Sequence, residues 1–184
     1  MLKETVEKIA KDEGFSLEKA AAELIAFLGD GSFRDAQSIL QKIISFSSDK
    51  KITLSEVELV TGAPKGVLLN AVIEGIEEKK IENALKAIGE AAAQNIDMKV
   101  FLRLLLERLR DILLLRFAKD LEKEMQENFS ETDFAFFKKV SGNKNSNINS
   151  KTLDEILRAY EETSFAAVKE LPLELALIRL IGEK

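Results

Sequence analysis

Two neighbouring side chains near the start of the chain, Ser32 and Arg34, have the types and the position to bind an anion. In GDGSFRDAQSIL, residues 29–40, Ser32 and Asp35 have the S-x-x-D spacing of a capping box, which predicts Ser32 as the N-cap of a helix. Arg34 then lies in the first turn, where the helix dipole disfavours a cation. Free backbone N–H groups, the positive helix end and a guanidinium together favour an anion at one place. The alternative is a solvated arginine beside Asp30 or Asp35, and the pattern of these residues alone favours that alternative.

Other residue types that catalyse reactions or bind metals are scarce. The chain has no cysteine and no histidine, which excludes disulfides, thiolate zinc sites, cysteine nucleophiles and imidazole bases. The phosphate-binding loop G-x-x-x-x-G-K-[ST] is absent as well. Two carboxylate pairs, Glu77 with Glu78 and Glu161 with Glu162, are predicted to be solvated helix surfaces.

Charge and hydropathy argue against a chain that binds nucleic acid or a membrane by itself. The 184 residues are 46% hydrophobic and 32% charged, as in a globular protein, and the net charge of −5 does not attract nucleic acid. Phe134, Phe136 and Phe137 could stack on bases, but core packing is favoured because no basic residues alternate with them. Charged side chains interrupt the most apolar stretch, residues 100–117, so no run approaches the ~20 residues of a membrane span. The N-terminus is charged and unlike a signal peptide, so we expect a cytoplasmic protein.

Helical periodicity and capping signals predict four helices within the first 62 residues. The first predicted helix ends at Gly14, and Ser16 is predicted to cap the second. The third is predicted from Ser32 to about Phe46, with Phe33 on its buried face. A capping box of Thr53 and Glu56 is predicted to start the fourth helix, which ends at Gly62. Four such helices are enough to bury one small core.

Longer helices are predicted after Pro64, which is a typical first-turn proline. Asp97 is expected to cap a helix over residues 98–127 whose apolar residues cover more than one face. Such a helix is central to its domain or packs against another chain. SGNKNSNINS, residues 141–150, is the clearest loop and is expected only to connect helices. Because no strand alternation or fixed repeat is visible, we predict an all-α fold.

The same segments resemble successive parts of one protein family. GDGSFRDAQSIL resembles the sensor-2 segment of AAA+ clamp-loader ATPases, usually some form of G-S-x-R-D-A-x-S-x-L, and residues 9–28 look like the lid domain of that family. The resemblance continues through residues 52–62, 67–85 and 171–180, in the order of the lid and collar of the gamma/tau subunits of bacterial DNA polymerase III. It covers nearly the whole chain, and its most specific part is the G-S-x-R-D match between lid helices.

This resemblance implies a helical AAA+ lid over residues 1–62 and a helical collar, the oligomerisation domain, over residues 63–184. The family carries its P-loop, Walker B acid and zinc-binding module ahead of the lid. We therefore expect a fragment with no ATPase activity and no bound cofactor of its own. In the full-length subunit, ATP with Mg²⁺ is expected, and the arginine at the Arg34 position, in the turn capped by Ser32, reaches the ATP phosphates.

The resemblance also implies which partners the chain has. Other clamp-loader subunits (gamma/tau copies, delta and delta prime) are expected to bind through the collar, whereas the sliding clamp and primer-template DNA meet only the assembled complex. No membrane is involved. The exposed members of one apolar set on the long helix are expected to be interface residues: Leu102, Leu106, Leu113 and Phe117.

The function predicted from these features is to couple ATP state to clamp-loader geometry through the lid and to hold the subunit ring together through the collar. That ring loads the sliding clamp during DNA replication. Two alternatives remain open at this point. One is a stand-alone helical adaptor that binds a partner helix and has no nucleotide role; the other is a helical nucleic-acid-binding protein, which the acidic charge disfavours.

Overall fold

The computed structural model describes residues 2–182, and within that range it contains eleven α-helices. They are α1 Leu2–Asp12, α2 Lys19–Leu28, α3 Phe33–Phe46, α4 Leu54–Thr61, α5 Gly66–Glu77, α6 Ile81–Ala93, α7 Met98–Phe117, α8 Glu122–Asn128, α9 Glu131–Ser141, α10 Ser150–Thr163 and α11 Leu171–Leu177. Two strands of two residues each, β1 Ser16–Leu17 and β2 Lys51–Ile52, a 3-10 turn at Lys119–Leu121 and a π turn at Ile178–Gly182 complete the described elements. The prediction of an all-α fold is confirmed.

The chain divides into two compact units. The first comprises Met1–Ala63 with Gln126–Glu131, and the second comprises Pro64–Met125 with Thr132–Lys184. Assignment of a lid to residues 1–62 and of a collar to residues 63–184 stays a prediction.

The first unit is a small helical bundle with its core between α1, α2, α3 and α4. Helix α1 packs on α2 and α3, and α4 packs on the same two helices. Apolar residues spaced three or four apart put one face of each helix inside, where full burial of an Ile or Leu side chain stabilises by about 1.5–3 kcal/mol. The core is formed by Val6, Ala10, Ala21, Ile25, Ala36, Leu40, Ile43, Ile52 and Val57.

The predicted cap at Ser16 is wrong, because Ser16 belongs to β1 and not to a helix end. Its backbone N–H and its hydroxyl both donate to the Lys50 carbonyl, at 2.8 and 3.2 Å, and β1 pairs in parallel with β2. Helix α2 instead begins after Glu18, whose carboxylate accepts from the Leu54 backbone N–H at 3.1 Å. That bond, followed by the one from the Lys51 ammonium, lowers the pKa of Glu18. Two residues are too few to show strand alternation in a sequence.

The predicted capping box at the start of α4 is confirmed. The Thr53 hydroxyl accepts from the Glu56 backbone N–H at 3.3 Å, and the Glu56 carboxylate accepts from the Thr53 backbone N–H at 2.8 Å. The bond from the Thr53 backbone is the main cause that lowers the pKa of Glu56. Helix α4 ends as predicted at Gly62, whose φ of 70° is left-handed.

The second unit is built around α7, which packs against α5 and α10, while α6 and α10 both contact α11. Helix α7 starts at the predicted cap: the Asp97 carboxylate accepts from the backbone N–H groups of Lys99 and Val100, at 2.7 and 3.3 Å. Pro64, in contrast, is not in a first turn, since α5 begins at Gly66 after Lys65. The fully buried side chains of α7 are Phe101, Leu102, Leu105, Leu109 and Ile112.

The single helix predicted over residues 98–127 is wrong, because α7 ends at Phe117. Ala118, with φ −125° and ψ 69°, lies outside helical geometry and leads into the 3-10 turn before α8. The physical reason is that the residues after this point are not buried, since Lys119, Asp120 and Leu121 are all exposed. A straight continuation would therefore have no apolar face packed against the unit.

The Asn-rich loop is more than a connector, and Glu77 is not a solvated surface residue as predicted. The Glu77 carboxylate accepts from the Asn143 amide at 2.6 Å, the Ser146 hydroxyl at 2.6 Å and the Asn147 backbone N–H at 3.2 Å. The Asn147 amide also donates to the Glu77 carbonyl at 2.7 Å, at the last residue of α5. One carboxylate thus fixes a loop that lies about 70 residues further along the chain.

We expect the close packing of α5 on α6 to tolerate no side chain at Gly75, which lies in the last turn of α5. A Cβ there would lie 2.8 Å from the Ala84 Cβ and 3.1 Å from the Lys80 carbonyl oxygen. Gly75→Ala should therefore destabilise the protein by roughly 1–3 kcal/mol in urea unfolding, since backbone must shift to make room. The matched control is Gly89→Ala in α6, where a Cβ meets nothing within 4 Å. It should stabilise by about 0.5–1 kcal/mol; equal effects of the two substitutions would contradict the close packing of α5 on α6.

Candidate functional site

The candidate site lies at the start of α3, and a tight turn places it there directly after α2. Asp30 and Gly31 both have left-handed φ, of 50° and 79°, and the Ser32 N–H donates to the Gly29 carbonyl at 2.8 Å. A Cβ at Gly29 would lie 2.7 Å from the Ala36 Cβ. Gly31 therefore allows the left-handed backbone with which the chain reverses direction, and Gly29 allows the turn to lie close to the first turns of α3.

Ser32 is the N-cap of α3, as the sequence predicts. Its hydroxyl accepts from the Asp35 backbone N–H at 3.2 Å. Only this half of the predicted capping box forms, because the Ser32 N–H is already bonded to Gly29. Among residues 2–182, no hydrogen bond joins the Asp35 carboxylate to that N–H.

Arg34 is exposed in the first turn, and it forms neither of the ion pairs that would make it a merely structural residue. Within residues 2–182 no carboxylate, including those of Asp30 and Asp35, pairs with its guanidinium. The backbone N–H groups of Phe33 and Arg34 likewise have no acceptor in that range. Two free N–H groups at the positive end of a 14-residue helix and one unpaired guanidinium are an arrangement that can bind phosphate oxygens.

Phe33 is the residue of this turn that the sequence pattern misplaces. Helical spacing predicts Phe33 on the buried face of α3, but 54% of it is exposed. The reason is its position as the first residue of α3, one turn before the first buried residue, Ala36. The exposed phenyl ring of Phe33 thus lies next to Arg34 in the chain, and helical spacing alone does not predict this exposure.

The other residues weighed for chemistry do not form a second site. Phe134 and Phe137 are buried and Phe136 is half-buried, so core packing and not base stacking is confirmed for the first two. No group of three or more acidic residues that could hold a metal occurs in the described part of the chain. Over the same residues no single helix is long and apolar enough to cross a membrane, although α4 and α5 taken together meet that test by length and composition alone.

The apolar set predicted for a subunit interface is divided between core and surface. Leu102 is fully buried, Leu106 and Leu113 are half-buried, and Phe117 is 80% exposed. Leu102 is therefore excluded as a contact residue because α7 is central to its unit. Other large apolar side chains of the second unit are exposed: Val67, Leu157, Phe165, Val168, Leu171, Leu175 and Ile178.

Two protein-family models match successive parts of the chain. Residues 1–49 match the ATPase lid domain of the DNA polymerase III clamp loader subunit, and residues 52–184 match domain III of DNA polymerase III subunits gamma and tau. The boundary between the two matches falls ahead of α4, although α4 packs in the first unit.

Curated relatives agree with these family matches. The chain is 25% identical over 174 residues to DNA polymerase III subunit tau of Bacillus subtilis and 30% identical over 172 residues to subunit gamma/tau of Mycoplasma genitalium. These alignments cover 94% and 86% of this chain but only 30% and 28% of the relatives, so the chain spans less than a third of their length. Among solved structures, the clamp loader delta protein of Bacillus subtilis is 19% identical with a TM-score of 0.45, over 99% of this chain and 56% of that one.

Proposed function

The chain belongs to the family of DNA polymerase III gamma and tau subunits, and its role is in the clamp loader; on this premise we propose that its first unit is a lid that senses ATP. The observation that carries the proposal is the unpaired Arg34 guanidinium beside two free N–H groups at the start of α3. In the full-length subunit this turn contacts the phosphates of ATP held, with Mg²⁺, in the preceding ATPase domain.

The physical basis is that the electrostatic interaction at the start of α3 changes from unfavourable to favourable when a phosphate binds. Without a ligand, Arg34 at the positive end of α3 costs a few tenths of a kcal/mol up to ~1 kcal/mol. A phosphate is attracted by both the helix end and the guanidinium, so its arrival converts this cost into a net attraction. The lid is therefore drawn toward the bound nucleotide, and hydrolysis or release of ATP weakens that attraction.

The second unit is proposed to be the collar that joins this subunit to the other clamp-loader subunits. Its exposed apolar side chains are the supporting observation, since large exposed apolar patches tend to mark partner sites. The expected partners are further gamma/tau copies, delta and delta prime. The sliding clamp and primer-template DNA are contacted by the assembled ring.

We expect the 184-residue chain alone to show no steady ATP hydrolysis. Its sequence has no phosphate-cradling loop, and the described residues contain no acidic cluster that could hold Mg²⁺. The measurement is phosphate release by repurified chain against a heat-treated control. Activity that survives repurification would mean that the chain is not a lid with a collar.

Assembly tests the collar separately. The full-length subunit is mixed with its clamp-loader partners, with and without residues 63–184, and the complexes are sized by gel filtration. We expect the shortened subunit to be excluded from the ring. If the ring assembles equally well without those residues, the collar assignment is wrong and a helical adaptor becomes the better description.

A further inference from the structure

We infer that Lys42 is a positioning residue, which ties the end of α4 to α3 so that a displacement of α3 by bound ATP reaches the start of the second unit. The inference rests on the proposed function of Arg34, and it adds the route by which that turn acts on the rest of the subunit. The route runs along α3, across to the end of α4 and out through Gly62.

Helix α3 connects the candidate site to Lys42 without a break. Arg34 is in its first turn and Lys42 is eight residues later, which at ~1.5 Å per residue is about 12 Å along the helix axis. Between them, Ala36 and Leu40 are buried in the core of the first unit. A displacement at the start of α3 is therefore carried to Lys42, because close-packed elements transmit strain instead of absorbing it.

Helix α4 is short and has little apolar attachment of its own. Of its eight residues, all of which the structure describes, Val57 alone is fully buried, whereas Leu59 is 70% exposed. In the sequence α4 lies in the stretch matched to domain III, yet it packs on α2 and α3. An element with one buried side chain can pivot about it, so polar contacts at the two ends decide how closely α4 follows its neighbours.

The start of α4 is held by two neighbouring elements. The Leu54 N–H donates to the Glu18 carboxylate at 3.1 Å, just ahead of α2. The Ser47 hydroxyl, at the C-terminal end of α3, shares its one proton between the Glu56 carboxylate at 3.0 Å and the Asp49 carbonyl at 2.8 Å. These contacts fix where α4 begins and leave its direction to be set at the other end.

The other end of α4 is held by Lys42. The Lys42 ammonium donates to the Val60 carbonyl at 3.3 Å. Val60 is in the last turn of α4, where the carbonyl groups have no donor within the helix and the dipole favours a cation. Lys42 thus links α3 to the end of α4 from which the chain continues to the second unit.

The chain that leaves α4 is braced against the helix, so it follows the helix end. The Thr61 hydroxyl donates to the Val57 carbonyl at 2.6 Å and accepts from the Ala63 N–H at 3.4 Å. Gly62 between them has a left-handed φ of 70°, and the second unit begins at Pro64, whose ring fixes φ. Because these residues have little conformational freedom, a displacement of the end of α4 passes along the backbone into the second unit.

The test is Lys42→Met in the full-length subunit, assembled with its clamp-loader partners. Methionine keeps an apolar stem and removes the donor. We expect ATP-dependent clamp loading to be at least about fivefold slower than in wild type, the lower end of a typical coupling between sites. The Kd of the full-length subunit alone for ATP should stay within about twofold of wild type, since Arg34 and the first turn of α3 are unchanged.

Amide hydrogen exchange gives a second readout that a merely stabilising lysine would not change. It is measured with and without a non-hydrolysable ATP analogue and Mg²⁺. In wild type the analogue should alter exchange both in the first turn of α3 and over residues 59–63. In Lys42→Met only the change in the first turn of α3 should remain.

Two variants serve as controls. Lys42→Arg keeps a cationic donor and should load clamps like wild type. Lys3→Met is the matched control, because the Lys3 ammonium donates to the Glu23 carboxylate at 2.8 Å and so ties α1 to α2 instead. It should leave the loading rate unchanged, and thermal unfolding checks that all variants fold.

Loading at the wild-type rate by Lys42→Met would overturn the inference, as would an exchange change over residues 59–63 that persists in this variant. Equal slowing by Lys3→Met would overturn it too, since the effect would then not be specific to α4. If Arg34→Ala slows loading and Lys42→Met does not, the ATP-sensing proposal stands and only this route is wrong. If neither slows loading, both are wrong.

Discussion

Replacing Arg34 with alanine in a full-length gamma/tau subunit is expected to slow ATP-dependent clamp loading by about 10- to 160-fold. A hydrogen bond to a charged group contributes about 1.5–3 kcal/mol, and each ~1.4 kcal/mol corresponds to a factor of ten. The free energy of unfolding should change by no more than about 0.5 kcal/mol, since the exposed guanidinium has no partner within the described residues.

The matched control for this experiment is Gln37→Ala. Gln37 is exposed on α3, three residues after Arg34, and lies outside the first turn. Its substitution should leave the loading rate unchanged. Equal rates for wild type and Arg34→Ala, at limiting and at saturating ATP, would mean that Arg34 is an ordinary surface arginine.

Replacing Arg116 with methionine is expected to destabilise the second unit by about 2–4 kcal/mol. The half-buried guanidinium donates to three carbonyl oxygens, those of Val140 at 3.2 Å, Ser141 at 3.2 Å and Ile148 at 2.6 Å. It therefore closes the C-terminal end of α9 and fixes the Asn-rich loop at Ile148. Methionine keeps much of the apolar stem but leaves the three acceptors without this donor.

Urea unfolding of the 184-residue chain measures the effect, with Arg110→Met as the matched control. Arg110 is on the same helix, but its guanidinium is 59% exposed and lies 3.6 Å from the Glu107 carboxylate. Exposed pairs of this kind contribute about 0–1 kcal/mol, so the control should be nearly neutral. If both substitutions cost the same, the three carbonyl contacts of Arg116 contribute nothing specific.

Features that depend on residues close together in the chain could be predicted from the sequence. The caps at Ser32, Thr53 and Asp97 and the left-handed end at Gly62 each follow from one side chain and the next few backbone groups. The same holds for the start of α3, where Ser32 is the N-cap and Arg34 lies in the exposed first turn. What Arg34 binds is set by groups outside the turn, and its role stays a proposal.

Features that depend on distant partners could not be predicted. Ser16 has the sequence position of a helix cap, but its backbone N–H and its hydroxyl donate to the Lys50 carbonyl instead. Glu77 looks like a surface carboxylate, but a loop about 70 residues away donates to it. Helix α7 ends at Phe117 because the residues that follow are not buried, and helical periodicity in a sequence does not show which residues are buried. In each of these three cases the structure is determined by tertiary contacts, or by their absence, and not by local sequence preference.

The most direct measurement is an experimental structure of the full-length subunit in its clamp loader with a non-hydrolysable ATP analogue and Mg²⁺ bound. We predict that the Arg34 guanidinium lies within about 2.7–2.9 Å of a phosphate oxygen, the distance of a charge-assisted hydrogen bond. The first turn of α3 should face the same phosphates. A structure in which the nucleotide is bound and Arg34 points into solvent, or pairs with a carboxylate, would contradict the proposal that this lid senses ATP.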